Sequence, residues 1–163
     1  MKELHIVRHG KSSWDYTNIM DEDRPLTERG IRNAYTMAER LVNKGYEPQL
    51  IISSPANRAL YTAIIFSKVL RIPFQSLQIN DSLYLSYQEE ILNVVRSIDN
   101  SIKSAMLFGH NPSFTSFSNH FVRKIISDMP TAAVVSLKFD VEKWSDIGKA
   151  NQVMENFDYP KKS

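Results

Sequence analysis

The amino-acid sequence predicts an α/β fold: one domain, residues 1–163, built as a three-layer α/β/α sandwich around a mostly parallel sheet with an antiparallel edge. Segments typical of strands alternate with segments typical of helices, which favours parallel strands covered on both faces. Two further strand segments follow each other near the end with only a turn between them, which adds the antiparallel edge. The 163 residues, 42% of them hydrophobic, suffice for one sizeable core, and no repeat or linker divides them.

The first half of the chain predicts a strand, a helix, a strand and a helix in turn. The strands are short, apolar and rich in β-branched residues, and the first helix has one apolar stripe. Thr27 is suited to cap that helix and Gly45 to end it. Ser54-Pro55 predicts a second N-cap, followed by proline in the first turn. These elements are a strand at 4–7, a helix at 27–45, a strand at 49–54 and a helix from 55 to about 70.

The second half continues the alternation and then breaks it. Ser86 and Glu89 form a capping-box pattern ahead of an apolar helical stripe. Asn111-Pro112 starts a further helix, with phenylalanines on one face. These elements are a weaker strand at 74–79, a helix reaching 98, a strand at 104–110, a helix carrying Phe114, Phe117 and Phe121, and strands at 132–139 and 151–157 around a turn at 144–148. The connection at 11–25 is long for a compact α/β domain, which is typical of a functional loop.

Composition excludes several classes of protein. Without cysteine there is no disulfide, no thiolate zinc site and no cysteine nucleophile. A net charge of +2 without a long basic run does not favour nucleic-acid binding. The apolar runs are too short for a membrane span, and the N-terminus lacks the pattern of a signal peptide. We therefore expect a cytoplasmic protein with no nucleic-acid or membrane partner, and the oligomeric state stays open.

Cationic and imidazole side chains follow three of the predicted parallel strands where each strand ends. Arg8 and His9 follow the first strand, and His110 ends the strand at 104–110. Arg58 stands in the first turn of the helix after the second strand. Ligands of open α/β sheets bind beyond the carboxyl ends of the strands. Two guanidinium groups, two imidazoles and two helix N-termini suit a dianion, so the sequence predicts a phosphoryl-binding crevice.

Single residues among these also have ordinary structural interpretations. Arg58 opposes the helix dipole at its position, so a bound anion would offset an unfavourable placement. Lone histidines are more often hydrogen-bonded or on the surface, which is our interpretation of His5 and His120. The acids at 21–23 are most simply a solvated loop, and capping explains Glu89. The residues that suit either a turn or a substrate contact are Ser12, Arg24 and Asn111.

Three motifs together resemble those of the histidine phosphatase superfamily. RHG at 8–10, SSPANRALYTA at 53–63 and GH at 109–110 match its motifs in order and spacing, and the resemblance covers nearly the whole chain. The stretches RHGKSSW, DRPLTERG and GHNPSF are most similar to the small SixA-type phosphohistidine phosphatase branch. The resemblance implies a phosphorylated substrate, which in that branch extends to a phosphohistidine-bearing protein.

The resemblance also implies a reaction through a phosphohistidine intermediate. We expect no metal and no cofactor, because the cluster already provides cations and no closely spaced set of carboxylates and histidines offers a metal site. His9 would attack phosphorus, so one ring nitrogen must be free and the other should donate to a backbone carbonyl or similar acceptor. Gly10 is expected to let the backbone approach the ligand closely. The residues that the resemblance assigns to catalysis are Arg8, His9, Arg58 and His110, and those assigned to substrate binding are Ser12, Arg24 and Asn111.

One departure from the superfamily leaves the general acid unassigned. Acid phosphatases of this superfamily carry an aspartate directly after the second histidine, where this chain has Asn111, and phosphoglycerate mutases carry a glutamate in an insertion that this chain lacks. Glu89 and Glu90 are the nearest substitutes, although capping is the simpler explanation. The short middle region also predicts an open crevice and disfavours a mutase.

Two alternatives to a protein phosphohistidine phosphatase stay open. A small-molecule phosphomonoesterase would need the missing acid and a pocket for the rest of its substrate. A phosphate-binding module without turnover is less favoured because the set of arginines and histidines is intact. The five glycines never form a dinucleotide or P-loop motif, so nucleotide binding of those kinds is poorly supported.

Overall fold

The alternation of strands and helices is present in the computed structural model of the protein, which describes residues 1–162. The strands are β1 (Lys2–Arg8), β2 (Leu50–Ser53), β3 (Leu77–Ile79), β4 (Ser104–Gly109), β5 (Val134–Phe139) and β6 (Gln152–Asp158). The helices are α1 (Glu28–Asn43), α2 (Asn57–Val69), α3 (Gln88–Arg96) and α4 (Ser113–Asn119). Within the described chain no helix is both long and apolar enough to cross a membrane.

All six strands form one sheet in the order β3-β2-β4-β1-β5-β6. The strands from β3 to β1 are parallel, whereas β5 pairs antiparallel with β1 and β6 pairs antiparallel with β5. The predicted fold class, a mostly parallel sheet with an antiparallel edge, is confirmed. The strand predicted at 74–79 is shorter than expected because Phe74–Ser76 forms a 3-10 turn before β3.

Helices cover both faces of the sheet because the central strands are apolar on both sides. Successive strand residues point to opposite faces. In β4, Met106 and Phe108 belong to the core under α1 and α2, whereas Ala105 and Leu107 belong to the core under α3 and α4. The three layers that the sequence predicts follow from this pattern.

Helix α1 begins and ends where the sequence predicts. The Thr27 hydroxyl accepts a hydrogen bond from the Gly30 N–H at 3.0 Å, which satisfies one of the free donors of the first turn. The helix stops before Gly45, whose φ of +80° lies in the left-handed region that glycine adopts without strain. Both end signals are confirmed.

The N-cap predicted at Ser54-Pro55 is wrong. Helix α2 begins two residues after the proline, at Asn57, and Ala56 is its N-cap. The Ser54 hydroxyl instead accepts a hydrogen bond from the Ala56 N–H at 3.2 Å, in a turn that precedes the helix. The serine and proline therefore shape the approach to α2 and do not cap it.

The capping box of α3 is shifted by one residue from the predicted Ser86 and Glu89. Tyr87 is the N-cap, and its N–H donates to the Glu90 carboxylate at 3.0 Å. Ser86 and Glu89 fit the usual Ser/Thr-x-x-Glu pattern, but the helix begins one residue later, with a tyrosine at the N-cap. Glu89 is left without the capping role that the sequence assigns to it.

The helix after β4 is shorter than the sequence predicts. It begins at Ser113 and ends at Asn119, so Asn111-Pro112 precedes it and Phe121 follows it. Phe121 is still buried, and its ring packs edge-on against that of Phe117 at 5.2 Å. All three phenylalanines of the predicted apolar stripe are thus in the core, although the helix ends before the last of them.

The two histidines interpreted as structural have the predicted kinds of environment. His5 is buried in β1, where its ring nitrogens lie 2.7 Å from the Ser136 hydroxyl and 2.9 Å from the Glu3 carboxylate. His120 lies on the surface at the end of α4. Neither reaches the carboxyl ends of the parallel strands.

Two glycines let the loop after β1 pack against the start of α1. A Cβ atom on Gly10 would lie 2.9 Å from the Gly30 carbonyl oxygen, and one on Gly30 would lie 2.3 Å from the Lys11 carbonyl oxygen. Both distances are shorter than carbon and oxygen tolerate, so a side chain at either position would separate the two segments. Gly10 therefore has a packing reason inside the protein, and the expectation that it lets the backbone approach a ligand stays a prediction.

Candidate active site

Parallel pairing fixes three chain segments side by side at the carboxyl ends of β1, β2 and β4. Arg8 is in register with Gly109. The pairing continues past the strands, because the His9 N–H donates to the Gly109 carbonyl at 3.1 Å and the Ser54 N–H donates to the Phe108 carbonyl at 2.9 Å. The backbone ladder therefore sets the spacing of the residues that follow each strand.

These strand ends bring the four principal residues predicted from the sequence into one place. Arg8, His9, Arg58 and His110 line a single cavity of about 190 Å³. The imidazole rings of His9 and His110 lie with their centroids 5.1 Å apart. The cavity is where the sequence predicts the phosphoryl-binding crevice.

His9 is held with one ring nitrogen bound and the other free to react. Its Nδ1 lies 2.6 Å from the Gly10 carbonyl oxygen, which can only accept, so Nδ1 carries the proton and Nε2 keeps its lone pair. This is the backbone acceptor that the sequence predicts. Burial lowers the pKa of His9 to about 4, and the charges of Arg58 and Arg8 add to the shift against the opposing hydrogen bond to Gly10. His9 is thus neutral near pH 7.

His110 is anchored through its Nε2, which lies 2.8 Å from the Ser54 hydroxyl. Burial lowers the pKa of His110 to about 3, with His9 and Arg58 acting in the same direction. Its Nδ1 is buried and has no hydrogen-bond partner within residues 1–162. A neutral ring with one unpaired nitrogen at this cavity is suited to contact a ligand.

The two principal arginines reach the cavity from different elements, β1 and α2. The Arg8 Nη1 donates to the Met129 carbonyl at 2.7 Å, while its Nε is buried and unpartnered in the described chain. Arg58, in the first turn of α2, donates through both terminal nitrogens to Asp21. Each guanidinium is therefore oriented by the protein and retains N–H donors that it does not use internally.

Asp21 is exposed, as the sequence predicts, but its carboxylate also binds side chains of the site. Its carboxylate accepts hydrogen bonds from Tyr84 Oη at 2.7 Å, Arg58 Nη2 at 2.9 Å and Arg24 Nη1 at 3.0 Å. The Tyr84 hydroxyl, followed by the two arginines, holds the pKa of Asp21 well below its usual range. Asp21 therefore orients two arginines of the site, and the only sequence signal for it is its place three residues before Arg24.

Arg24 and Ser12 lie in the wall of the cavity and bind each other. Both are buried, and the Ser12 hydroxyl accepts from the Arg24 Nη2. The Arg24 Nε donates to the Ser13 carbonyl at 3.1 Å, and its guanidinium carbon lies 3.3 Å from the centroid of the Trp14 ring. Arg24 thus shapes the loop at 11–25 around the cavity and has two N–H groups left for other partners.

Asn111 also lines the cavity, but its side chain is engaged inside the protein. Its Nδ2 donates to the Asp128 carboxylate at 2.8 Å and to the Met129 carbonyl at 3.0 Å, and its Oδ1 accepts from the Thr115 hydroxyl at 2.8 Å. Both amide hydrogens are used. The predicted substrate contact would therefore need a rearrangement, and the geometry favours a structural role that ties the 128–129 segment to β4.

The chemistry of the cavity separates it from a larger one elsewhere on the molecule. A groove of about 740 Å³ between α3 and the β2–β3 edge has no arginine, lysine or histidine in its lining, so it does not suit an anion. Among the described residues, no aspartate or glutamate lines the smaller cavity. Across residues 1–162, no group of three or more histidines, aspartates or glutamates is arranged to hold a metal ion.

Comparison with known proteins agrees with this geometry. Residues 4–82 match the model of the histidine phosphatase superfamily, branch 1. An uncharacterized chloroplastic protein of Arabidopsis thaliana is 32% identical over 120 residues, which are 68% of this chain. The Agrobacterium tumefaciens protein assigned as the phosphohistidine phosphatase SixA is 26% identical, with a TM-score of 0.78 over 85% of this chain and 92% of that one. The chain belongs to the histidine phosphatase superfamily.

Within the superfamily, similarity extends to enzymes of different activities. A 2,3-bisphosphoglycerate-dependent phosphoglycerate mutase of Haemophilus influenzae is 40% identical over 65 residues, 39% of this chain. The matched segments are 54% of the Arabidopsis protein and 29% of the mutase, so the chain spans about half or less of the curated relatives that it matches. The comparisons thus show the superfamily, but they do not identify the substrate, which has to be inferred from the site.

Proposed function

We propose that residues 1–163 form a phosphatase domain that removes phosphoryl groups from phosphohistidine in proteins through a phosphohistidine intermediate on His9. The observation that carries the proposal is the state of His9. Its Nδ1–H is bound to the Gly10 carbonyl, its Nε2 is unprotonated, and it lies among guanidinium groups that stabilise an incoming phosphoryl group.

The reaction has two in-line displacements on phosphorus. The His9 Nε2 lone pair forms a bond to phosphorus while the bond to the leaving group breaks, and the leaving group takes a proton from solvent. Water then attacks the phosphohistidine, loses a proton to solvent and releases inorganic phosphate, which restores His9. Arg8, Arg58 and His110 hydrogen-bond the equatorial oxygens and stabilise the charge of the transition state.

The absence of a positioned acid in the cavity lining supports a phosphoramidate substrate. Asp21 is the acid held by the site's arginines, and its depressed pKa keeps it ionised, so it cannot supply a proton near neutral pH. An alkoxide leaving group needs such a proton, whereas the imidazole of phosphohistidine is protonated by solvent near neutral pH and leaves as a neutral base. The site is therefore better matched to phosphohistidine than to an alkyl ester.

The small cavity and its rim support a macromolecular substrate. At about 190 Å³ the cavity is smaller than the roughly 300 to 1,000 Å³ of typical small-molecule pockets. It can enclose a phosphoryl group, but a sugar or nucleotide would lie outside. Trp14, which lines the cavity, is 72% exposed, so its ring provides apolar surface at the opening. Tyr16 and Met20 of the same loop are also exposed.

A substrate panel tests this function. We expect turnover of a phosphohistidine protein and of activated aryl phosphates to exceed turnover of simple alkyl phosphates by about 10² to 10⁴, the usual contribution of a general acid. Comparable rates on alkyl and aryl esters would favour the small-molecule phosphomonoesterase. Phosphate binding without turnover of any substrate would favour the binding module.

A further inference from the structure

Ser54 is a fully buried residue at the end of β2 that the reaction above does not use. Its hydroxyl oxygen lies 2.8 Å from the Nε2 of His110 and accepts the Ala56 N–H at 3.2 Å. The side chain thus joins a backbone donor on one side to an imidazole of the site on the other. The direction of the second hydrogen bond decides which nitrogen of His110 carries a proton.

Counting donors fixes that direction. A serine hydroxyl has one proton to donate and two lone pairs. The Ala56 N–H is itself a donor, so His110 Nε2 is the one acceptor that the Ser54 proton has among its contacts. If Nε2–H donated instead, the Ser54 proton would be left unpaired in a buried place, which is costly. Ser54 therefore donates to Nε2.

The consequence lies at the other nitrogen of the ring. Since burial keeps His110 neutral, the ring carries a single proton, and an Nε2 that accepts leaves this proton on Nδ1. Nδ1 is buried without a partner within residues 1–162, on a residue that lines the cavity. A donor left unpaired there is accounted for by an acceptor that arrives with the ligand.

We propose that Ser54 is a positioning residue that holds neutral His110 in the tautomer protonated at Nδ1, so that His110 donates a hydrogen bond to a phosphoryl oxygen. The identity of the acceptor rests on the proposed function. The tautomer itself is a property of the resting protein and can be measured without any turnover.

The arrangement gives His110 a donor without giving it a charge. A protonated imidazolium at this position would be opposed by burial and by the charges of Arg58 and Arg8. A neutral ring with a fixed Nδ1–H avoids that cost and still donates. Loss of the Ser54 hydroxyl would let the two tautomers interconvert, and part of the protein would then present a lone pair to the phosphoryl oxygen.

The test compares Ser54→Ala with Ser53→Ala, using histidine labelled with ¹⁵N and long-range proton–nitrogen correlation spectra. Ser53 is an equally buried neighbour whose hydroxyl donates to the Ser54 carbonyl at 2.9 Å, so its replacement removes the same atom while leaving the His110 contact in place. We expect His110 to be protonated at Nδ1 in the wild type and in Ser53→Ala, and to show a mixture in Ser54→Ala. Inorganic phosphate should shift the His110 Nδ1–H resonance of the wild type.

Kinetics provide a second measurement. We expect Ser54→Ala to lower kcat on an aryl phosphate about tenfold, by analogy with the loss of a hydrogen-bond partner that orients a metal-binding histidine. Ser53→Ala should stay near wild type, and so should Ser54→Thr, because it keeps the hydroxyl. A wild-type His110 protonated at Nε2, or a tautomer unchanged in Ser54→Ala, would overturn the proposal. Those results are independent of turnover, so failure of the proposed function would be seen separately, as inactivity of the wild type.

Discussion

The strand ends and the loop at 11–25 contribute to the same cavity by different means. His9 and His110, at the strand ends, are 7% and 9% exposed, and backbone pairing between neighbouring strands sets their positions. In the loop, residues 14–21 are exposed, with the Asp21 side chain 46% exposed, and hydrogen bonds between side chains set the positions of Asp21 and Arg24. Backbone hydrogen bonds of the sheet therefore position the strand ends, whereas contacts between side chains position the loop.

This difference suggests a division of labour. Reacting groups need exact placement, which rigid strands and the helices that follow them provide. Surface loops tolerate change and adapt to partners, so the loop at 11–25 is the region where substrate choice would vary. Substitutions at the strand ends should therefore abolish chemistry, whereas substitutions in the loop should change affinity.

The largest effect is expected from His9→Ala, which removes the proposed nucleophile. Turnover should fall by a factor on the order of 10⁴ to 10⁶, as when a catalytic nucleophile is removed elsewhere. Rapid quenching with a ³²P-labelled substrate should trap a phosphoryl adduct on the wild type and none on the variant. Label trapped on another residue of the wild type would move the nucleophile away from the end of β1.

A second prediction concerns the pH at which the nucleophile is lost. Since burial, reinforced by Arg58 and Arg8, lowers the pKa of His9 to about 4, the ring should stay neutral and reactive until the pH falls through about 4. An NMR titration of the His9 ring measures this directly. Arg58→Gln should move the midpoint upward but leave it below the ordinary value of 6.5, because burial is the larger cause.

The same shift links His9 to stability. Between pH 6.5 and about 4 the unfolded chain binds a proton on this histidine and the folded protein does not, so the free energy of unfolding should fall as the pH falls across that range. His9→Ala should show less of this loss. A wild-type ring that titrates near 6.5 would mean that the strand end is more open to solvent than the structure has it.

An intermediate effect is expected in the loop, from Asp21→Asn. The change removes the charge that Arg24 and Arg58 share, so both guanidinium groups lose an oriented partner. We expect kcat/KM to fall about tenfold, or about 1.4 kcal/mol of transition-state stabilisation, with most of the change in KM. Asp23→Asn, an exposed acid of the same 3-10 turn, is the matched control and should stay near wild type.

A gain in phosphate affinity in Asp21→Asn would contradict the supporting role of the loop. If Asp21→Asn bound inorganic phosphate more tightly than the wild type, the carboxylate would be competing with the phosphoryl group for Arg58. The loop would then restrain the site and not assist it. Competitive inhibition by phosphate, measured on both variants, separates the two cases.

Sequence patterns predicted the strand ends because the signals there are local and repeated. An apolar strand followed by Arg8 and His9, and another followed by His110, can be recognised within a few residues, and parallel pairing then brings the ends together. The contacts of Asp21 span 37 residues to Arg58 and 63 to Tyr84. No short stretch of sequence contains both partners. The sequence therefore indicated a solvated carboxylate but not its hydrogen bonds to Arg58 and Tyr84.

The errors at helix starts have a related cause. Ser54 carries a side chain suited to capping, but its hydroxyl bonds to His110, 56 residues away, and the helix begins later. At α3, Ser86 and Glu89 fit the local capping pattern, but the helix has Tyr87 as its N-cap and Glu90 as the capping carboxylate. Local propensity thus identified which elements exist but not the residues at which they begin.

The smallest effects are expected from Glu89→Gln and Glu90→Gln, the acids that the sequence offered as substitutes for the missing proton donor. Neither lines the cavity that holds His9: Glu89 lies beside Phe117 and His120, and Glu90 caps α3. Glutamine keeps an acceptor oxygen, so the cap survives and the rate on a phosphohistidine protein should stay within about twofold of wild type. A loss of 10² or more in either variant would place a general acid at the site. Phosphate esters would then become the favoured substrates. The loop at 11–25 would have to move so that a glutamate of α3 could reach the cavity.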